Sequence, residues 1–421
     1  MLVIVMIGAL VLGGAAFAAV LGTQGSDEPG PTPSSPTPSV SPTAGAAGED
    51  FVPPAVPAVG PEALLEAGAG WALTQVWTGA DAPVQWNLLF LSSPTGGASR
   101  LELPAGVTVE FLDDWLPGTT LAVVHGVSEE FDVTTSVVDL ATGEALSSRT
   151  SESGEYVEMR FVGDGSTDVV VAAGPSTDEG RAERVHTVVR ATADGAQVAA
   201  SQPFALSSDT LAGSSWGVVE VSPDASYLLT GGHAGTLVLD AATLGPVPLV
   251  MPPDATRCDQ IAWLGRASVS ASCHYHDDAG RYVRSELWRA VVGGEEPRLM
   301  LNSATVDEYG DVRGAYLPGE QTVIDFDQSY GSDDAFPAGL YRLHPYHGDL
   351  VPVRTADDAD SPRPSHVVGV VGDHLLAYSS GEGESISLVL VHGESGAVQP
   401  VIEGLAVRSQ NVSTVMGRGT A

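Results

Sequence analysis

The sequence predicts an all-β fold, a seven-bladed β-propeller of four-stranded antiparallel blades, preceded by an N-terminal transmembrane helix and a disordered linker. Three observations predict it. One strand–turn–strand unit recurs seven times; 49 Gly and 29 Pro punctuate a chain without long helical periodicity; and the chain opens on an uncharged apolar run. Length alone, 421 residues, suggests two or three domains. The repeat instead divides the chain into a membrane or signal segment 1–23, a linker 24–70 and one propeller 71–421.

The recurring unit is an apolar strand, a Gly-containing turn and a second strand. It starts at Leu88, Val137, Thr187, Leu237, Leu287, Leu340 and Leu388, so the steps are 49, 50, 50, 50, 53 and 48 residues. Each copy follows two further strand-like segments, clearest in Trp216 to Gly231, where Ser222-Pro223-Asp224-Ala225 has turn chemistry. Four strands per repeat of about 50 residues is the pattern of propeller blades. A single blade cannot bury both faces, and packing in a ring does that. The first blade looks one strand short, so the tail Leu405 to Val415 is expected to supply its missing strand; the alternative is a frayed C-terminus.

The stretch Val221 to Gly245, with Ser222-Pro223-Asp224 and the later Asp240-Ala241-Ala242-Thr243-Leu244-Gly245 turn, resembles a blade of the WD40-like and YVTN-type propeller superfamily. Val137 to Glu144, with Asp139-Leu140-Ala141-Thr142-Gly143, resembles half of one. The Trp-Asp dipeptide of true WD40 repeats is absent from the expected positions, so the resemblance implies the fold and no activity.

Leu2 to Gly22 is a 21-residue uncharged apolar run, long enough to cross a bilayer as a helix. An uncleaved single-pass anchor in the cell membrane is the favoured reading, because the run is long and lacks the basic start of a signal peptide. Cleavage at Ala16-Phe17-Ala18 followed by secretion is the alternative. Either way the bulk of the chain is expected outside the cytoplasm. Pro29 to Thr43 alternates proline with Ser and Thr, which favours an extended, semi-rigid spacer. One helical turn is expected at Pro61 to Glu66.

Cys258 and Cys273 are the only cysteines. A two-residue turn at Gly265-Arg266 makes them face each other in one hairpin, close enough for a disulfide. Closing so short a loop stabilises by about 3 kcal/mol in the chain-entropy model. Two free buried thiols are the alternative.

Charge excludes one class of partner. There are 53 acidic against 18 basic residues, all of the latter arginine, for a net charge of −35. Nucleic-acid binding needs a basic patch, so no nucleic-acid partner is expected. Catalytic candidates are weak. Gly213-Ser214-Ser215-Trp216-Gly217 matches a serine-hydrolase string, but a strand is expected after it where that motif needs a helix. His274, His276 and Asp278 have spacing suited to a transition metal, against the reading of a polar loop. Asp325, Asp327 and Asp333 are similar to a calcium loop, against an acidic solvated loop; the glycine falls at the wrong position and Phe336 stands where a Glu belongs. The expectation is a binding module for a protein or cell-envelope ligand, without resident cofactor. A hydrolase or lyase with carboxylates near the central channel is the alternative.

Overall fold

In the computed structural model each of the seven repeat units lies in its own antiparallel sheet. The structure describes residues 54–421 apart from 79–86, 129–131, 152–154, 176–183, 207–218, 233–234, 310–311, 327–338, 345–348, 356–362, 381–384, 408–409 and 419–421. The apolar run Leu2 to Gly22, the Pro-rich stretch 29–43, Gly213 to Gly217, Asp327 and Asp333 lie outside the described residues. Among those described, no helix is long and apolar enough to cross a membrane.

Blades 2 to 7 span 111–150, 155–206, 220–247, 257–301, 312–355 and 363–407, each with four strands in sequential order, and blade 3 adds a short fifth strand, Phe204–Leu206, that pairs with its third. All seven residues that set the repeat fall in third strands, from Leu88 in Asn87–Ser92 to Leu388 in Ser385–His392. Blade 1 takes Ala72–Thr78, Asn87–Ser92 and Ala98–Leu101 from the start of the domain and Gln410–Met416 from the end. Ala72 pairs with Met416 and Thr78 with Gln410, so the tail does close the ring. The expected tail strand is divided by the structure: residues up to Val407 belong to the last strand of blade 7, Val398–Val407, and only Gln410–Met416 crosses to blade 1.

Period-two alternation gives each strand one side chain for each neighbouring blade. Seven apolar clusters follow, one at every junction. Leu89 and Leu112 meet between blades 1 and 2, Val137 and Phe161 between 2 and 3, and Val188 and Leu228 between 3 and 4. Val238 and Ala290, Leu287 and Phe326, and Leu340 and Val389 fill the next three. The seventh joins Leu388 of blade 7 to Phe90 and Val412 of blade 1. That cluster makes the ring closed.

Three features depart from expectation. Residues 54–70, read as the end of the linker, belong to the propeller unit, which begins at Pro54. Ala58–Val59 adds a parallel strand to blade 1, and the expected turn is a 3-10 helix, Pro61–Glu66, whose Leu64 is wholly buried between blades 1 and 2. A short helix, Ser303–Tyr309, follows blade 5; the Asn302 side chain accepts the Thr305 amide at 3.0 Å and caps it. In blade 5 the hairpin turn is Arg266-Ala267, one residue beyond the expected place, since Gly265 pairs with Ser268. Two bulges then restore the register, and Cys258 faces Cys273 as the spacing required. The disulfide is formed, with α-carbons 4.0 Å apart.

Candidate functional site

The first strands of blades 1 and 2, 2 and 3, 3 and 4, 5 and 6, and 7 and 1 touch one another around the axis. Their sequences interrupt apolar alternation with charge: Glu158 and Arg160 in Glu155–Phe161, Asp113 and Asp114 in Phe111–Trp115, Glu220 in Glu220–Val221, Arg313 in Val312–Tyr316 and His366 in Arg363–Val371. A charge so close to the axis has little water around it and must find partners.

Glu158 is the best defined. One carboxylate oxygen takes the Arg160 guanidinium at 2.7 Å and the other accepts the Val219 amide at 3.1 Å, tying blade 3 to the entry of blade 4. Burial pushes its carboxyl up to about 7, against the pull of Arg160 and the Val219 amide, with Asp113 and Glu220 adding to the rise. Burial also raises the Glu220 carboxyl, opposed by Arg418 and Arg160. Arg160 donates to the Asp113 carbonyl at 2.6 Å; burial opposes its charge, but Glu158 and Asp113 outweigh burial and raise its pKa. Asp113 in turn holds His125 Nδ1 at 2.8 Å, with the imidazole stacked on Phe111.

Asp114 is buried and accepts the Trp115 and Phe161 amides at 2.9 and 2.8 Å. Arg418, just past the closing strand, approaches Asp114 at 3.5 Å and donates to the Phe161 carbonyl at 3.0 Å. The tail therefore reaches across blade 1 to blades 2 and 3. On the other side, burial raises the Tyr316 phenol, helped by Asp325 and Glu220, and burial with Arg313 lowers His366. Glu220 of blade 4 thus shares a field with Arg160, Arg418 and Tyr316, from blade 3, the tail and blade 6.

The weak sequence candidates fare as follows. His274 Nδ1 meets Ser285 Oγ at 2.5 Å, and His276 Nδ1 meets Thr256 Oγ1 at 3.0 Å. Asp278 sits in the turn beyond them, and among the described residues no three His, Cys, Asp or Glu side chains come together to hold a metal ion. Asp325 is not on a solvated loop: it lies buried in the second strand of blade 6, Val323–Phe326. The inner-strand charges carried no motif. Their one signal was an ion-pair residue inside an otherwise apolar strand, as in Val157-Glu158-Met159-Arg160-Phe161.

Fold and centre together define a closed seven-bladed β-propeller with a polar axis. No protein-family model matches the sequence, and no curated protein matches it. Solved structures do. The β-propeller domain of the Trilobed protease from Pyrococcus furiosus is similar at 11% identity and TM-score 0.44, over 70% of this chain and 86% of that one. A putative 6-phosphogluconolactonase from Bacteroides fragilis is similar at 12% identity and TM-score 0.41, over 82% and 98%. A prolyl endopeptidase is similar at 11% identity and TM-score 0.46, over 81% of this chain and 50% of that one.

Proposed function

We propose that the chain is a single-pass membrane protein whose propeller is held outside the cytoplasm as a binding module for a protein or cell-envelope ligand. The Cys258–Cys273 disulfide carries the reading, because such bonds persist in oxidising compartments and are rare in the cytosol. The apolar run Leu2 to Gly22 supplies the anchor and Pro29 to Thr43 the spacer. The inner-strand charges support binding over catalysis, since Asp113, Asp114 and Glu158 are engaged by His125, by backbone amides and by Arg160.

Fractionation of cells tests it. The full chain is expected in the membrane pellet after alkaline washing, open to protease added from outside, with no thiol labelled before reduction. Recovery in the cytosol with two reactive thiols overturns the reading. Recovery from the medium, shortened to begin at Ala19, replaces the anchor by a cleaved signal.

One observation favours the hydrolase or lyase alternative: Glu158, pushed up to about 7, is suited to accept or give a proton near neutrality. Turnover of a chromogenic glycoside, ester or peptide that Glu158→Gln abolishes establishes it. Turnover unchanged in that variant excludes this carboxyl.

A further inference from the structure

One end of the axis is ringed by the turns 116–120, 162–168, 222–226, 266–267, 317–322 and 372–373, all among the described residues. Charge gathers there. Asp114, Arg160 and Glu220 are each the last residue but one of their blades' first strands, Phe111–Trp115, Glu155–Phe161 and Glu220–Val221, and equivalent strands set them at one level. Tyr316 ends the first strand of blade 6, Val312–Tyr316, and Arg418 stands two residues past the closing strand. The side chains of Glu158, Arg160 and Arg418 are 17, 21 and 25% exposed, so water reaches this level.

The carboxylates here are not equally served. Asp114 has two amides and Arg418, Glu158 has Arg160 and the Val219 amide, and Asp113 has His125. Glu220 is the exception. Val219 and Val221 point into the core between blades 3 and 4, so Glu220 points the other way, toward blade 5, whose Trp263 indole donates to the Glu220 carbonyl at 3.3 Å. Burial raises its carboxyl, Arg418 and Arg160 oppose the rise through space, and no hydrogen bond among the described residues holds it charged.

Charge selects the ligand. With all groups ionised, Asp113, Asp114, Glu158 and Glu220 stand against Arg160 and Arg418, four carboxylates to two guanidinia, which leaves two negative charges without a partner. Arg313 and Asp325 of blade 6 add one charge of each sign. Unpaired charge with little water around it is costly, and a cation from outside removes the cost. The chain's net −35 draws cations in and repels anions. A calcium ion takes six to eight oxygens, whereas among the described residues no three His, Cys, Asp or Glu side chains come together to hold a metal. A protein partner needs apolar anchors, and none of the exposed large apolar residues lies in the turns at this end. An ammonium group, with three donors and one charge, needs only a carboxylate and a few acceptors.

We propose that this end of the axis binds a small aliphatic polyamine, with one ammonium held by the Glu220 carboxylate. The proposal goes beyond the envelope-binding reading and does not depend on where the chain resides.

Calorimetry of the full-length protein in nanodiscs of neutral lipid tests it, with putrescine and spermidine as probes at pH 7 in buffers of different protonation enthalpy. One amine per chain is expected to bind, more weakly as salt rises. Binding should release protons, since a nearby cation lowers carboxyls that burial has raised, Glu158 at about 7 among them. Glu220→Gln is expected to weaken binding by about tenfold or more. Asp373→Asn removes an exposed carboxylate from the turn 372–373 at the same end and should leave binding unchanged. A melting temperature in Glu220→Gln at or above that of the wild type shows that the loss is local. Stoichiometry and proton release are read on the wild type and decide the matter even if that variant misfolds. Binding of neither amine, more than one site, no proton release, or equal losses in the two variants overturns the proposal. Glu220-dependent binding of calcium ion or of a lysine-rich peptide in place of both amines also overturns it.

Discussion

The hydroxyls of Thr74 and Thr414 meet at 2.8 Å although 340 residues separate them in the chain. Tyr378 of blade 7 donates to the same Thr414 oxygen at 2.7 Å, and its ring stacks on His366. Blade 7, the tail and blade 1 are therefore joined by a short polar chain beside the apolar cluster that closes the ring.

Removing residues 410–421 is expected to abolish the cooperative unfolding transition, because blade 1 loses its innermost strand and exposes the edge of Ala72–Thr78. Thr414→Val keeps the shape and removes the oxygen that bonds both Thr74 and Tyr378. A loss of about 1–3 kcal/mol is expected by chemical denaturation. A truncated chain that melts like the full one would show that the tail is not a blade strand.

Reduction, or Cys258→Ser with Cys273→Ser, is expected to cost about 3 kcal/mol while leaving the seven-sheet ring intact. The staple lies in blade 5's own small cluster with Ala271 and Tyr275, outside the inter-blade cores, so circular dichroism at room temperature should not change. Loss of the fold on reduction would contradict that placement.

Arg190 in blade 3 engages four partners at once: Asp164 at 2.6 Å, Asp168 at 2.8 Å, the Ser166 hydroxyl at 3.4 Å and the Ala241 carbonyl that follows the third strand of blade 4 at 3.2 Å. Arg190→Met is expected to destabilise by about 3 kcal/mol, since two carboxylates lose their cation while partly buried. A change below 0.5 kcal/mol would make the cluster a surface ornament.

Glu158 makes stability depend on pH with a definite sign. Its folded carboxyl is raised to about 7 from 4.5, so between those values the folded state binds the extra proton and stability falls as pH rises. His366, lowered by burial and by Arg313, acts in the opposite sense: its contribution is lost as pH falls below 6.5. The difference between wild type and Glu158→Gln isolates the first effect. Denaturation curves at pH 5 and pH 8 should show a smaller pH slope in the variant. An equal slope would mean that Glu158 titrates as an exposed carboxyl.

The ring was legible because its signal is periodic and local. Third strands alternate, and the turns after them reuse one chemistry: Asp139 accepts the Ala141 amide at 2.9 Å, and Asp240 accepts the Thr243 amide at 2.8 Å. The cysteine pairing was legible too, although the turn slipped by one residue and bulges corrected it. Leu64 and Ala67 were not, because Pro- and Ala-rich composition reads as linker while the space between blades 1 and 2 is visible only in three dimensions. The axial charges were illegible for a related reason. Arg418 and Asp114 meet only because the closed ring brings the tail to blade 2. No spacing in the chain encodes that.

Ring closure in a single register is tested most directly by replacing Thr74 and Thr414 with cysteine in a Cys258→Ser, Cys273→Ser background and allowing oxidation. The account predicts complete cross-linking of Thr74→Cys with Thr414→Cys, seen as a faster-migrating band without reductant. The one-residue shift, Thr74→Cys with Ser413→Cys, should stay reduced, since neighbouring side chains on a strand point to opposite faces. Free thiols in the first pair, or cross-linking of the second, would contradict it.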